Sequence, residues 1–177
     1  MVRWITIFIL FLSQILIAQN IGLYLTLIEK GRIEEVKDNL PELLDRYPDQ
    51  HAAMCFELIL GEGGFYPGAR SFFCALMDVL KKHAIAIVID EVQTFGRTTA
   101  PFTFQHFNLD EYVDVVTIGK LTQVCATLFS SAYRPSPGLV SQTFTGSTGS
   151  ILAAHVVLNE LLDGGYFGTD GKIVQLH

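Results

Sequence analysis

Cysteine is scarce in this chain and shows no pairing pattern: Cys55, Cys74 and Cys125 are the three, with no Cys-x-x-Cys among them. That excludes a disulfide framework, gives no structural metal, and favours a reducing compartment. His51, His83, His106, His155 and His177 include no His-Glu-x-x-His and no ligand spacing, so a zinc hydrolase has no support and most of them read as surface or packing histidines. The apolar strand ending in Asp-Glu at residues 85–91 resembles the magnesium-serving strand of a P-loop ATPase. No Gly-x-x-x-x-Gly-Lys-Ser/Thr loop accompanies it, which leaves that reading weak. Positive charge is also sparse and scattered: 12 Lys and Arg against 18 Asp and Glu give a net charge of −6, no footprint for nucleic acid. There is no internal repeat and no low-complexity segment.

What is present is apolar. Half of the 177 residues are hydrophobic and 17% are charged, enough for the core of one domain. The run from Ala84 to Ile89 is continuous and rich in branched side chains, as suits a strand buried on both faces of a parallel sheet. It ends in Asp90-Glu91-Val92-Gln93-Thr94. Val113, Val115, Val116 and Ile118 form a second strand around Asp114, with Gly119-Lys120 directly after it. Residues 69–83 predict a helix with Phe72, Phe73, Leu76, Met77 and Leu80 inward, so that strand, helix and strand over residues 52–89 make a βαβ unit. Residues 29–47 predict two short helical pieces separated by Pro41, and residues 150–162 a last helix closed by Gly164-Gly165. The fold class is α/β.

Ligands of open α/β sheets sit at the carboxyl ends of the strands, where Asp90 and Lys120 converge. Taken singly, an aspartate there caps a helix and a lysine is a solvated surface group. Together they point to pyridoxal phosphate: a lysine amine holds an aldehyde cofactor as a Schiff base, and a buried aspartate keeps the pyridine nitrogen protonated.

Four segments, in order, carry a resemblance. They are Phe56-Glu57-Leu58-Ile59-Leu60-Gly61-Glu62-Gly63-Gly64, Ile89-Asp90-Glu91-Val92-Gln93-Thr94-Phe95-Gly96-Arg97-Thr98, Thr117-Ile118-Gly119-Lys120 and Gln142-Thr143-Phe144-Thr145-Gly146. With Lys120 following Asp90 by 30 residues, the chain from about Cys55 to Leu162 resembles the class III aminotransferases, the group with acetylornithine, ornithine, 4-aminobutyrate and lysine ε-aminotransferases. The resemblance implies part of the large domain of pyridoxal-phosphate fold type I, a mostly parallel sheet flanked by helices. It implies Lys120 as Schiff-base lysine and proton carrier, Asp90 on the pyridinium nitrogen, Val92 on a ring face and Gln93 on the ring hydroxyl. Glu57 lies on the substrate side, and Thr143 reaches a neighbour's cofactor phosphate across a homodimer. Amino transfer to a 2-oxo acid such as 2-oxoglutarate follows, in the cytoplasm. The string Gly119-Lys120-Leu121-Thr122-Gln123-Val124-Cys125 is similar to the lysine ε-aminotransferase branch and points to a terminal primary amine as donor.

The chain also departs from the family. Thr94 is followed directly by Phe95, one residue short of the usual signature; Leu58 stands where proline is common, and Ser147-Thr148 replaces Asn-Pro. The family's Gly-Ser/Thr phosphate loop, its ring-stacking aromatic and its small C-terminal domain have no counterpart here, so residues 29–177 read as a partial large domain. That opens a non-enzymatic alternative, an inactive remnant or one half of a split enzyme. Residues 1–28 have a charged start, Met1-Val2-Arg3, then an apolar stretch interrupted only by Thr6, Ser13 and Gln14 up to Ala18. They read as a secretory signal or anchor, or as the product of a truncated or misread start.

Overall fold

The computed structural model describes residues 33–139 and 146–176. The expectations placed on residues 1–28 and on Thr143 lie outside them. The chain begins with α1 (Ile33–Arg46), whose Val36, Leu40 and Leu44 repeat every fourth residue and are buried. Pro41 does not split this helix in two. Proline removes one N–H bond and crowds the preceding turn, but the buried residues on either side of it pack in one cluster with the second helix and hold both turns in line.

Strand β1 (Ala53–Phe56) follows, then β2 (Ile59–Leu60) and β3 (Tyr66–Pro67), which pair antiparallel as a small separate sheet. The first strand of the unit expected over residues 52–89 is therefore two, β1 and β2. Between them Leu58 turns its carbonyl to the Gly68 N–H at 3.1 Å and Glu57 turns its carboxylate to the Gly61 N–H at 2.7 Å, and these bonds carry the chain off the main sheet.

Helix α2 (Arg70–Lys82) buries Phe72, Phe73, Leu76, Met77 and Leu80, the face that its periodicity predicts. It closes on Ala84, which takes a left-handed backbone at φ 54°. The Ile85 N–H then reaches the Leu80 carbonyl at 2.9 Å and the Ala84 N–H the Lys81 carbonyl at 3.1 Å, satisfying the last helical carbonyls.

The chain then enters β4 (Ala86–Glu91). This strand is parallel to β1 on one side, with Phe56 opposite Ile89, and parallel to β5 (Val115–Ile118) on the other, with Asp90 opposite Thr117. Ile87, Ile89 and Glu91 are fully buried, whereas Val88 and Asp90 on the opposite face are half-buried. The strand is thus sealed on one face rather than both. The short helix α3 (Thr103–His106) lies between β4 and β5.

Asp114 sits at the entry to β5 rather than inside it. Its carboxylate accepts from the Ile87 N–H at 2.9 Å and pairs with Lys81 at 2.7 Å, which ties α2, β4 and β5 at the end of the sheet away from Lys120. A fourth strand, β6 (Ala126–Phe129), pairs antiparallel to β5. The last helix, α4 (Thr148–Asp163), starts at Ser147, whose hydroxyl accepts from the Ser150 N–H at 3.1 Å, and ends at Gly164. The strand order is β1-β4-β5-β6, an α/β architecture with a mostly parallel sheet flanked by helices.

Candidate active site

Because β4 and β5 run parallel, their carboxyl ends share one rim of the sheet. Asp90 is the next-to-last residue of β4, and Lys120 comes two residues after β5 ends. An open cleft of about 330 Å³, counted with its mouth, lies at this rim and is lined by Glu57, Gly61, Glu62, Asp90, Val92, Gln93 and Lys120. The fold thus brings Glu57, Asp90, Val92, Gln93 and Lys120 together. Residues far apart in sequence meet there because each lies at or just after the end of a paired strand.

The local geometry fixes each side chain. The Asp90 Oδ1 accepts from the Val92 N–H at 2.9 Å and from the Thr117 hydroxyl at 3.1 Å. Lys120 takes a left-handed backbone at φ 49°, uncommon for a residue with a side chain, and opens a 3-10 turn in which the Gln123 N–H bonds the Lys120 carbonyl at 3.0 Å. Its Nζ donates to the Gln93 Oε1. Amine and amide therefore meet over the end of β4. Glu57 is held by the Gly61 N–H, and a Cβ on Gly61 would stand 3.1 Å from Gln93 Cγ and 3.3 Å from Glu57 Oε2. The close approach of these two side chains depends on the missing methyl.

Glu91 is the structural residue that reading the sequence does not find. It is 0% exposed, and its carboxylate accepts from the Thr103 and Phe104 N–H groups at 2.8 and 2.9 Å. Burial pushes its carboxyl above the ordinary value, although the two N–H bonds work against that. It ties the start of α3 to the end of β4, which closes the loop between them beside the cleft. The run of apolar residues before it was the available signal, since an acid continuing a buried face needs partners.

Cys55 on the outer strand β1 is solvent-accessible, but burial of its thiol and then the charges of Asp90 and Glu57 push it above its ordinary value. It therefore stays a thiol and is a poor nucleophile at neutral pH. Tyr112 is pushed up to about 12 by its 2.9 Å hydrogen bond to Asp78. No group of three or more His, Cys, Asp or Glu is placed to hold a metal among the described residues.

The donor set fits the ring end of pyridoxal phosphate: an amine, an amide and a carboxylate converge, with a valine beside them. The other two acids of the lining, Glu57 and Glu62, would repel a phosphate. No described helix is long and apolar enough to cross a membrane.

The chain is also similar to known proteins. The family model "Aminotransferase class-III" matches residues 12–165. Acetylornithine aminotransferase of Streptococcus mutans is 32% identical over 124 residues, covering 65% of this chain and 32% of its own length. Human mitochondrial 4-aminobutyrate aminotransferase is 32% identical over 132 residues, covering 72% of this chain and 26% of its own. Among solved structures, lysine aminotransferase from M. tuberculosis superposes with a TM-score of 0.66 at 25% identity, over 75% of this chain and 32% of that one. Ornithine aminotransferase from Plasmodium yoelii gives 0.60 at 27% identity, over 72% and 35%. The chain spans about a third or less of the curated relatives it matches. The family is pyridoxal-phosphate-dependent, and with a match across most of its residues, this chain belongs to the class III aminotransferases.

Proposed function

We propose that this chain carries the ring-binding half of an amino-transfer site, in which pyridoxal phosphate moves an amino group from an amino acid or amine to a 2-oxo acid. The observation that carries the reading is the convergence of Lys120, Asp90 and Gln93 on one cleft at the carboxyl rim of a parallel sheet. When bound, the cofactor supplies an aldehyde that condenses with amines and a ring that accepts the electron pair released when a Cα–H bond breaks. The chain's residues do the rest. Lys120 Nζ holds the cofactor and carries the proton between the donor carbon and the cofactor. Asp90 keeps a proton on the ring nitrogen, Gln93 binds the ring hydroxyl, and Val92 packs on one ring face. Glu57 lies toward the substrate, and Thr143 binds the phosphate of a partner's site in a homodimer.

The functional part is residues 29–177, a partial large domain, acting in the cytoplasm. Its donor is an amine at the end of a longer chain, supported by the string from Gly119 to Cys125 and by the likeness to a lysine aminotransferase. A second reading has a specific observation in its favour. The acidic lining offers the phosphate no cation besides Lys120, as expected of an inactive remnant or of a half-site that a separate chain completes.

The test is direct. The full chain, mixed with pyridoxal phosphate and reduced with borohydride, is expected to carry the pyridoxyl group on Lys120 by peptide mass mapping. Lys120→Ala is expected to lose both that tag and the visible absorbance of bound cofactor. Equal, scattered labelling of lysines in both proteins would overturn the reading.

A further inference from the structure

Both hydrogen bonds that the described residues give Asp90 fall on one oxygen. The Val92 N–H and the Thr117 hydroxyl donate to Oδ1 at 2.9 and 3.1 Å. One donor comes from the residue two ahead in the same chain segment and the other from the neighbouring strand. Two donors from different directions on a single oxygen fix the rotation of the carboxylate and turn the other oxygen, Oδ2, away from them. No protein donor reaches Oδ2 among the described residues, and Asp90 lines the cleft.

The register explains how Thr117 comes to do this. Asp90 and Thr117 are Cα partners in the parallel pair β4 and β5, and paired residues of neighbouring strands project on the same face. Valine would satisfy the strand equally well at this position, since β5 reads Val-Val-Thr-Ile and Val115 occupies the same face. What valine lacks is the donor.

We propose that Thr117 is a positioning residue: its hydroxyl, with the Val92 N–H, holds Oδ1 of Asp90 so that Oδ2 is the oxygen offered to the cofactor's ring nitrogen. This rests on the functional reading above, and the experiment separates the two. The full chain, Thr117→Val, Thr117→Ser and Asp90→Asn are each titrated with pyridoxal phosphate. Three quantities are read: the dissociation constant, the visible circular dichroism of the bound cofactor, and the melting temperature without cofactor.

Thr117→Val keeps the shape and is expected to melt like the parent. It is expected to bind about 10-fold more weakly, the loss of one hydrogen bond to a charged group, with a diminished dichroic band. Thr117→Ser restores the hydroxyl and is expected to restore both affinity and band. Asp90→Asn is expected to lose more than Thr117→Val does. If Thr117→Val matches the parent in affinity and dichroism, the positioning role is overturned while the functional reading stands. A Thr117→Ser chain as impaired as Thr117→Val overturns it too, because side-chain volume and not the hydroxyl would then be what matters. Should the parent bind no cofactor at all, the functional reading fails and the role of Thr117 falls with it.

Discussion

Asp90 and Glu91 are adjacent carboxylates with opposite fates, because consecutive residues of a strand face opposite sides of the sheet. Asp90 looks into the cleft. Glu91 is buried, holding two N–H groups of the α3 start. The raised carboxyl of Glu91 means that the folded chain binds its proton more tightly than the unfolded chain does. Stability from this group is therefore complete below its ordinary value of 4.5 and is lost as pH rises through the higher folded value. Glu91→Gln cannot ionise and presents one acceptor to two N–H groups, so it is expected to be less stable by about 1–3 kcal/mol near the acid end of that window. The gap between parent and variant should narrow as pH rises. Urea midpoints of the two proteins between pH 4.5 and 7.5 measure it, and a gap that widens with pH would show that burial does not dominate at Glu91.

The loop after β4, the turn that carries Lys120, and α4 meet at Gly96. This glycine has φ +72°, and a Cβ there would stand 2.8 Å from Leu121 Cδ2 and 3.1 Å from Leu161 Cδ1. Its N–H bonds the Pro101 carbonyl at 2.9 Å, which closes the loop on itself. Leu121 directly follows Lys120, so pressure at Gly96 is passed to the turn that aims the amine. Gly96→Ala combines an unfavourable left-handed backbone with side chains that must move, and is expected to destabilise by about 1–3 kcal/mol. Urea unfolding gives the number. Because the crowded atoms are the ends of leucines, the chain should still fold, and an unchanged midpoint would mean that the loop relaxes to a negative φ without loss.

At the scale of the whole molecule, the parts that show a period or a motif are the parts that were legible. The branched run into Asp90, the Phe72 to Leu80 stripe and the strand before Lys120 reveal the parallel unit, and motif order brings Glu57, Asp90, Val92, Gln93 and Lys120 to one cleft. What stayed hidden has little local signal. Strands β2 and β3 are two residues each, and β6 is set by the reversal after Lys120, where Gln123 takes φ 60°. Glu91 depends on N–H groups more than ten residues away, and Pro41 is overruled by packing that its own neighbourhood does not reveal. The apolar surface is equally a tertiary property. Helix α4, rich in apolar residues, buries only Ala154 and Leu161 and leaves Ile151, Leu152 and Val156 between 52 and 66% exposed. On strand β6, Leu128 and Phe129 are each 43% exposed, on opposite faces of the sheet. Large apolar side chains exposed together on one helix promote association, so the purified chain is expected to run larger than a monomer in size-exclusion chromatography with light scattering. Leu152→Lys with Val156→Lys places two like charges one helical turn apart on the exposed face, at sites where a surface change shifts stability by only about 0.5 kcal/mol. The double variant should therefore keep its melting temperature and elute with a larger monomer share. A profile identical to the parent's would locate the association elsewhere, with the β6 edge as the next surface to charge.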